Sequence, residues 1–223
     1  TEKDFTIDRT PPKVSVEFSE EGRTGGGRYY NTPGTVEITV EEHNFDREQV
    51  AEELTALLDD GRMRSWKAED FDSRGDTHTA SLPFSEDGDY RFLLACADRA
   101  GNKSGEAAAE FSVDRTPPSI EILGLEPDSA NRGEVGAEVR LADKRLIPET
   151  AAVEVARLDQ EGEKRRYRYQ ELSGGGGEIV KKLLPESFPE TEEADGLYVL
   201  RAAGEDRAGN RTERELLFSV NRY

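Results

Sequence analysis

An internal repeat constrains this chain more than any other feature. The string FTIDRTPP at Phe5–Pro12 recurs as FSVDRTPP at Phe111–Pro118, and FSVNR returns at Phe218–Arg222. The spacings are 106 and 107 residues (111 minus 5, 218 minus 111). A second marker, DRAGN at Asp98–Asn102, returns at Asp206–Asn210. Each DRAGN follows a similar run: Asp87, Gly88, Asp89, Tyr90 in the first copy and Asp195, Gly196, Leu197, Tyr198 in the second. Markers that keep one period identify a duplication, with each copy the size of a single domain. The boundary falls in DRTPP, where two prolines fix their own φ and restrict the residue before them, giving a short, stiff connector. The sequence predicts domain 1 over 9–114 and domain 2 over 115–223, with residues 1–8 the tail strand of a preceding repeat. The chain reads as a piece of a longer protein.

Within each copy, apolar and polar residues alternate in short runs, as at Val36, Ile38 and Val40, the pattern of half-buried strands. Hydrophobic residues are only 34% of the chain and charged residues 35%, a balance at which disorder is the first suspicion; the alternation argues against it. Runs bounded by turn residues predict strands at 13–18, 35–41, 62–67, 77–84, 89–97 and 106–113, then at 119–125, 134–141, 163–170, 178–184, 197–204 and 212–220. Val50, Leu54, Leu57 and Leu58 are spaced like a helix face, but their counterparts Val153, Val155 and Leu158 favour a strand. Two copies of one fold should agree, so 52–58 is read as strand after a short helical turn near 46–50. The fold class is all-β, two tandem sandwiches.

Tyr90 and Tyr198, each after an acidic-glycine turn, resemble the corner tyrosine on strand F of an immunoglobulin-type sandwich. Phe92 and Leu200 then stand where that fold carries a bridging cysteine, so packing replaces the bridge. YYNTPGTVEITVEEHNFD (Tyr29–Asp46), GDTHTASLPFSEDGDY (Gly75–Tyr90) and ADRAGN (Ala97–Asn102) are similar to bacterial Ig-like repeats of large Gram-positive cell-surface proteins. The resemblance covers nearly all of domain 1. Domain 2 shares its ends and the DRAGN strand and lacks the HNFD and GDTHT strings. It implies an extracellular, wall-associated stalk or adhesin with neighbouring repeats as partners, and it brings no catalytic residue.

The formal charge of −18 (30 basic, 48 acidic) argues against nucleic-acid and anionic-membrane partners and for a soluble monomer. No apolar run approaches the roughly 18 residues of a membrane span. A lone cysteine, Cys96, excludes an internal disulfide and alternates in phase with Tyr90, Phe92 and Leu94 as a core residue. The basic-aromatic run Lys164–Tyr169 alternates as a strand would, and the glycine runs Gly25–Gly27 and Gly174–Gly177 lack the Lys-Ser/Thr of a phosphate cradle and read as flexible loops. Glu41 and Glu42 are adjacent on a strand and so point to opposite faces, the wrong geometry for paired-carboxylate catalysis. The chain is read as a non-enzyme with no required cofactor.

Three binding features stand out. Ig-like topology gathers Asp8, Asp46 and Asp98 at one end of domain 1, and Asp114, Asp143 and Asp206 near the domain junction, where hard carboxylate oxygens suit Ca²⁺. Arg9, Arg99, Arg115 and Arg207 offer salt-bridge partners at the same ends. Tyr29, Tyr30 and Trp66 are candidate aromatics for a glycan or a host surface protein, although Trp66 pairs with Tyr169 as a core position on a matching strand. Arg74-Gly75-Asp76 is an integrin-type tripeptide, active only on an exposed loop tip; the family-like string begins at Gly75, which makes Arg74 incidental to it.

Overall fold

The computed structural model describes residues 7–24, 27–158, 167 and 169–223. The chain divides into two compact units, Thr1–Arg115 and Thr116–Tyr223.

The first unit holds β1 (Lys13–Phe18), β2 (Arg23–Thr24), β3 (Tyr29–Tyr30), β4 (Gly34–Glu41), β5 (Val50–Leu58), β6 (Met63–Trp66), β7 (Asp72–Arg74), β8 (Thr77–Phe84), β9 (Gly88–Cys96) and β10 (Ala107–Val113). They form two sheets, β1-β4-β8-β7 and β2-β3-β10-β9-β5-β6, with β3 parallel to β10. In sandwich nomenclature these are the A-B-E-D sheet and the G-F-C sheet extended at both edges. Each unit is an Ig-like sandwich. The second unit repeats the order with β11 (Ser119–Leu123), β12 (Ser129–Asn131), β13 (Ala137–Ala142), β14 (Ala152–Arg157), β15 (Tyr169–Gly175), β16 (Glu178–Leu183), β17 (Gly196–Glu205) and β18 (Arg211–Val220), in sheets β11-β13-β16-β15 and β12-β18-β17-β14.

Strict alternation drives the layering. β8 reads exposed-buried through eight residues, sending His78, Ala80, Leu82 and Phe84 inward. Each unit closes on its own apolar cluster, around Ile38, Leu54, Phe84, Phe92 and Leu94 in the first and Val139, Leu141, Leu183, Leu200 and Phe218 in the second. A fully buried side chain of this size contributes about 1.5–3 kcal/mol. Phe92 and Leu200 are both completely buried. The repeat markers acquire a structural reason here. Phe111 stacks on Tyr90 at 5.0 Å and Phe218 on Tyr198 at 5.4 Å, so the phenylalanine of one marker packs on the tyrosine preceding the other. The Tyr90 hydroxyl donates to the Glu86 carbonyl at 2.7 Å and that of Tyr198 to the Ala194 carbonyl at 2.8 Å, pinning the corner in both copies.

Several sequence expectations change. The 163–170 strand falls largely outside the described residues, as do most of the Lys164–Tyr169 run and Gly25–Gly26; the observed strand starts at Tyr169. Tyr169 lies in the A-B-E-D sheet and Trp66 in the other, so they are not on matching strands. Gly176 and Gly177, at φ 67° and 85°, form a tight turn between β15 and β16 rather than a flexible loop. The helical turn is a 3-10 turn at Arg47–Gln49, and strand β5 begins directly after it.

Candidate functional site

DRAGN builds one wall of the acidic site. Gly101 takes φ 86°, reversing the chain, while the Asp98 carboxylate accepts from the Asn102 amide at 2.8 Å and from its Nδ2 at 2.7 Å. This aspartate is therefore buried as a turn former. The second wall is the residue that follows β4: Glu42 Oε1 accepts from the Asn44 amide at 2.7 Å. Asp8 closes the group, its Oδ2 accepting from Asn44 Nδ2 at 2.6 Å, its Oδ1 from the Thr10 amide at 2.9 Å and its carbonyl from Asn102 Nδ2. These donors, Thr10 first and Asn44 second, hold the Asp8 carboxyl below its ordinary range.

One oxygen each from Asp8, Glu42 and Asp98 lie within 4.8 Å of one another. Asp46 is not in this trio. It caps the 3-10 turn, accepting from the Glu48 amide at 3.1 Å, and Glu42 takes the place expected for it. Among the described residues no ion pair joins Arg9 or Arg99 to the trio; asparagine and backbone amides supply the donors instead. Three hard oxygens this close are what a divalent cation such as Ca²⁺ takes, so Asp8, Glu42 and Asp98 are the residues that could hold one. An open groove of about 530 Å³ runs past Asp8, Glu42, Asn44, His43 and Asp76.

The second unit copies the frame. Asp206 repeats the Asp98 bonds, accepting from Asn210 N at 2.9 Å and Nδ2 at 2.7 Å, and Gly209 takes φ 82°. Asp143 follows β13 as Glu42 follows β4, and accepts from the Arg145 amide at 2.6 Å. Glu42 is thus the true equivalent of Asp143, and the position of Asn44 holds a buried arginine, Arg145. Asp114 belongs to the first unit, where its amide donates to the Tyr30 carbonyl.

The aromatic trio does not assemble as a platform. Neighbours on a strand face opposite ways. Tyr30 is completely buried against Phe84 and Phe111, whereas Tyr29 lines an open charged groove with Arg28, Asp89, Arg91, Glu110 and Ser112. Trp66 stacks on Tyr90 at 6.0 Å, half-buried.

Two features escaped the sequence reading. Glu52, in phase with core residues of β5, is buried and accepts from both Arg47 guanidinium nitrogens (2.7 and 3.2 Å) and from the Ala68 amide. His78 is buried beneath Phe45, rings 3.9 Å apart. Its Nε2 faces the Glu42 carbonyl at 2.9 Å, which can only accept, so Nε2 donates there, and Nδ1 lies 2.8 Å from Ser73 Oγ. Ser73 and His78 are cross-strand partners on β7 and β8, and the pair pins that hairpin to the end of β4.

No family model and no curated protein matches the chain. Among solved structures it is similar to a titin fragment, 14% identical over 95% of this chain and 100% of that one, with a TM-score of 0.43. It is also similar to titin domains in complex with telethonin (13%, 96% and 98%, TM-score 0.30). A third likeness is to the N-terminal Ig module of the Drosophila receptor protein tyrosine phosphatase DLAR (14%, 95% and 100%, TM-score 0.25). The fold assignment rests on the strand order and pairing above.

Proposed function

We propose that the chain is a non-catalytic, tension-carrying spacer from the stalk of a bacterial cell-surface protein, with further Ig-like repeats as its neighbours. The observation behind this reading is the parallel pairing of an early strand with the last strand in each unit, β3 with β10 and β12 with β18. Tension applied at a unit's two ends then pulls such strands past each other. Their hydrogen bonds are loaded together in shear, whereas a hairpin pulled at its open end loses them one at a time. The charge of −18 opposes self-association, which suits a monomer in a crowded surface layer.

Force-extension measurement tests it. End-to-end pulling gives two unfolding events, each releasing roughly 30 nm of chain. The rupture force exceeds that found when a unit is pulled through handles that peel one hairpin; equal forces in the two geometries would remove the mechanical reading. Calcium stays within this proposal as the cation that Asp8, Glu42 and Asp98 would take. A titration with no heat, and no shift of melting on chelation, ends that part.

A further inference from the structure

The first unit carries charge at a turn where its own duplicate shows that the fold asks for none. β7 and β8 are joined by a tight turn: Arg74 pairs with Thr77, and Gly75 and Asp76 lie between. In the second unit Gly175 pairs with Glu178, and Gly176 and Gly177 lie between. Both turns are fixed to the end of the B strand by the same bond, Glu42 N to the Asp76 carbonyl and Asp143 N to the Gly177 carbonyl, each 2.8 Å. Position by position, Arg74-Gly75-Asp76 therefore stands where the duplicate has Gly175-Gly176-Gly177.

The charged tip is also presented. The side chains of Arg74 and Asp76 are 87% and 68% exposed. Nothing lies within 4 Å of a Cβ built on Gly75, whose φ of +64° favours glycine. Among the described residues Arg74 pairs with Asp72 alone, at 3.5 Å in an exposed ion pair, and one Asp76 oxygen, Oδ1, meets His43 Nδ1 at 2.9 Å. Among the described residues Asp76 Oδ2 has no hydrogen-bond partner. Beneath the tip the hairpin is held by Ser73 to His78 at 2.8 Å and by His78 to the Glu42 carbonyl at 2.9 Å. A rigid base under an exposed, oppositely charged pair lowers the ordering cost of binding.

From this we infer that the β7–β8 turn is a recognition site for a receptor protein bearing a surface divalent cation beside an acidic pocket. The Asp76 carboxylate completes the cation's coordination, and the Arg74 guanidinium enters the pocket. This goes beyond the spacer reading, which needs no receptor.

The test is binding of the whole chain to an immobilised integrin ectodomain of the class that takes Arg-Gly-Asp peptides, in millimolar Mg²⁺. Expected are saturable binding, its loss in EDTA, competition by a soluble Arg-Gly-Asp peptide, and weakening by roughly tenfold or more in Asp76→Glu, where one added methylene displaces the carboxylate. Replacing residues 74–76 by three glycines, as in the second unit, abolishes binding while the first unit still unfolds in one cooperative Trp66 transition. Absence of saturable binding by the unaltered chain, or binding that survives EDTA, Asp76→Glu or the glycine replacement, overturns the inference. Unfolding forces are unaffected by these substitutions, so a failure here is distinct from a failure of the spacer.

Discussion

Removing one partner of the buried Arg47–Glu52 pair is expected to destabilise the first unit severely, and removing both to cost less than the sum. The Glu52 side chain is 1% exposed and that of Arg47 33%. Arg47 Nη2 also donates to the Ala68 carbonyl at 2.7 Å, and its guanidinium lies 5.1 Å from the Phe71 ring centroid, so the pair ties strand β5 to the segment after β6. Arg47→Met leaves a buried carboxylate with only the Ala68 amide as donor, and Glu52→Leu leaves a guanidinium without its anion. Each costs about 3–5 kcal/mol, the range for orphaning one half of a buried pair. The double variant removes both charges; the Ala68 amide and carbonyl and the Val50 carbonyl, which accepts from Arg47 Nη1 at 3.1 Å, lose these partners, at about 1–3 kcal/mol each. The singles thus sum to roughly 6–10 kcal/mol, and the double variant loses less than that sum because no buried charge is left without its counter-ion. Trp66 is the chain's one tryptophan and sits in this unit, stacked on Tyr90, so its fluorescence follows this unfolding alone. With a urea slope of about 1–3 kcal/mol/M, a loss of about 4 kcal/mol moves the midpoint by roughly 1.3 M or more. Single variants losing under about 1 kcal/mol, or a double variant equal to the sum, would refute the account.

Tyr90→Phe and Tyr198→Phe each remove a corner bond and leave a carbonyl without its donor, so each costs about 1–3 kcal/mol by denaturant unfolding; no change would mean the corner does not anchor the fold. Burial pushes the Cys96 thiol up to about 11, with Glu42 and Asp98 adding to the effect, so Ellman's reagent at pH 8 labels the chain only as fast as the first unit opens. Rapid labelling of the native chain would contradict this. The Asp76 hydrogen bond and charge raise the His43 imidazole above its ordinary value. A pKa raised by folding gives stability that is full below the ordinary imidazole range and is lost as pH rises through the raised value. NMR titration should find His43 high in the unaltered chain and lower in Asp76→Asn; an identical midpoint in both would dismiss the pairing.

What the sequence disclosed was local and repeated. The duplication, the alternating strands and the Tyr90 corner each depend on residues within a few positions, and the second copy resolved the 50–58 ambiguity in favour of β5. The short strands β3, β7 and β12 escaped because two or three residues carry no measurable period. Asp46 does lie in the loop after β4, but the residue that reaches the site is the first after the strand, Glu42, as Asp143 is the first after β13. The buried pair did leave a mark: Val50, Glu52, Leu54, Ala56 and Leu58 share one phase of β5, so a charge was written into an inward position. Its partner Arg47 lies in a 3-10 turn, where no period could have named it.

The duplication also supplies an internal control that no single domain offers. Where both units keep the same device, as in the tyrosine corner, the Asp-to-Asn turn and the bond from the end of the B strand to the D–E turn, the fold itself is sufficient reason. Where they differ, the fold tolerates both answers. Ala80 on β8 faces the core at the position where β16 places Lys181, whose amine reaches the Ala151 carbonyl at 2.5 Å, so even an inward site accepts a cation that finds an acceptor. The exchange of three glycines for Arg74-Gly75-Asp76 is of another kind, because its charges satisfy no buried group and meet only exposed neighbours. A pair of charges that no buried group needs, held on a turn that folding does fix, is where selection for something outside the molecule has room to act.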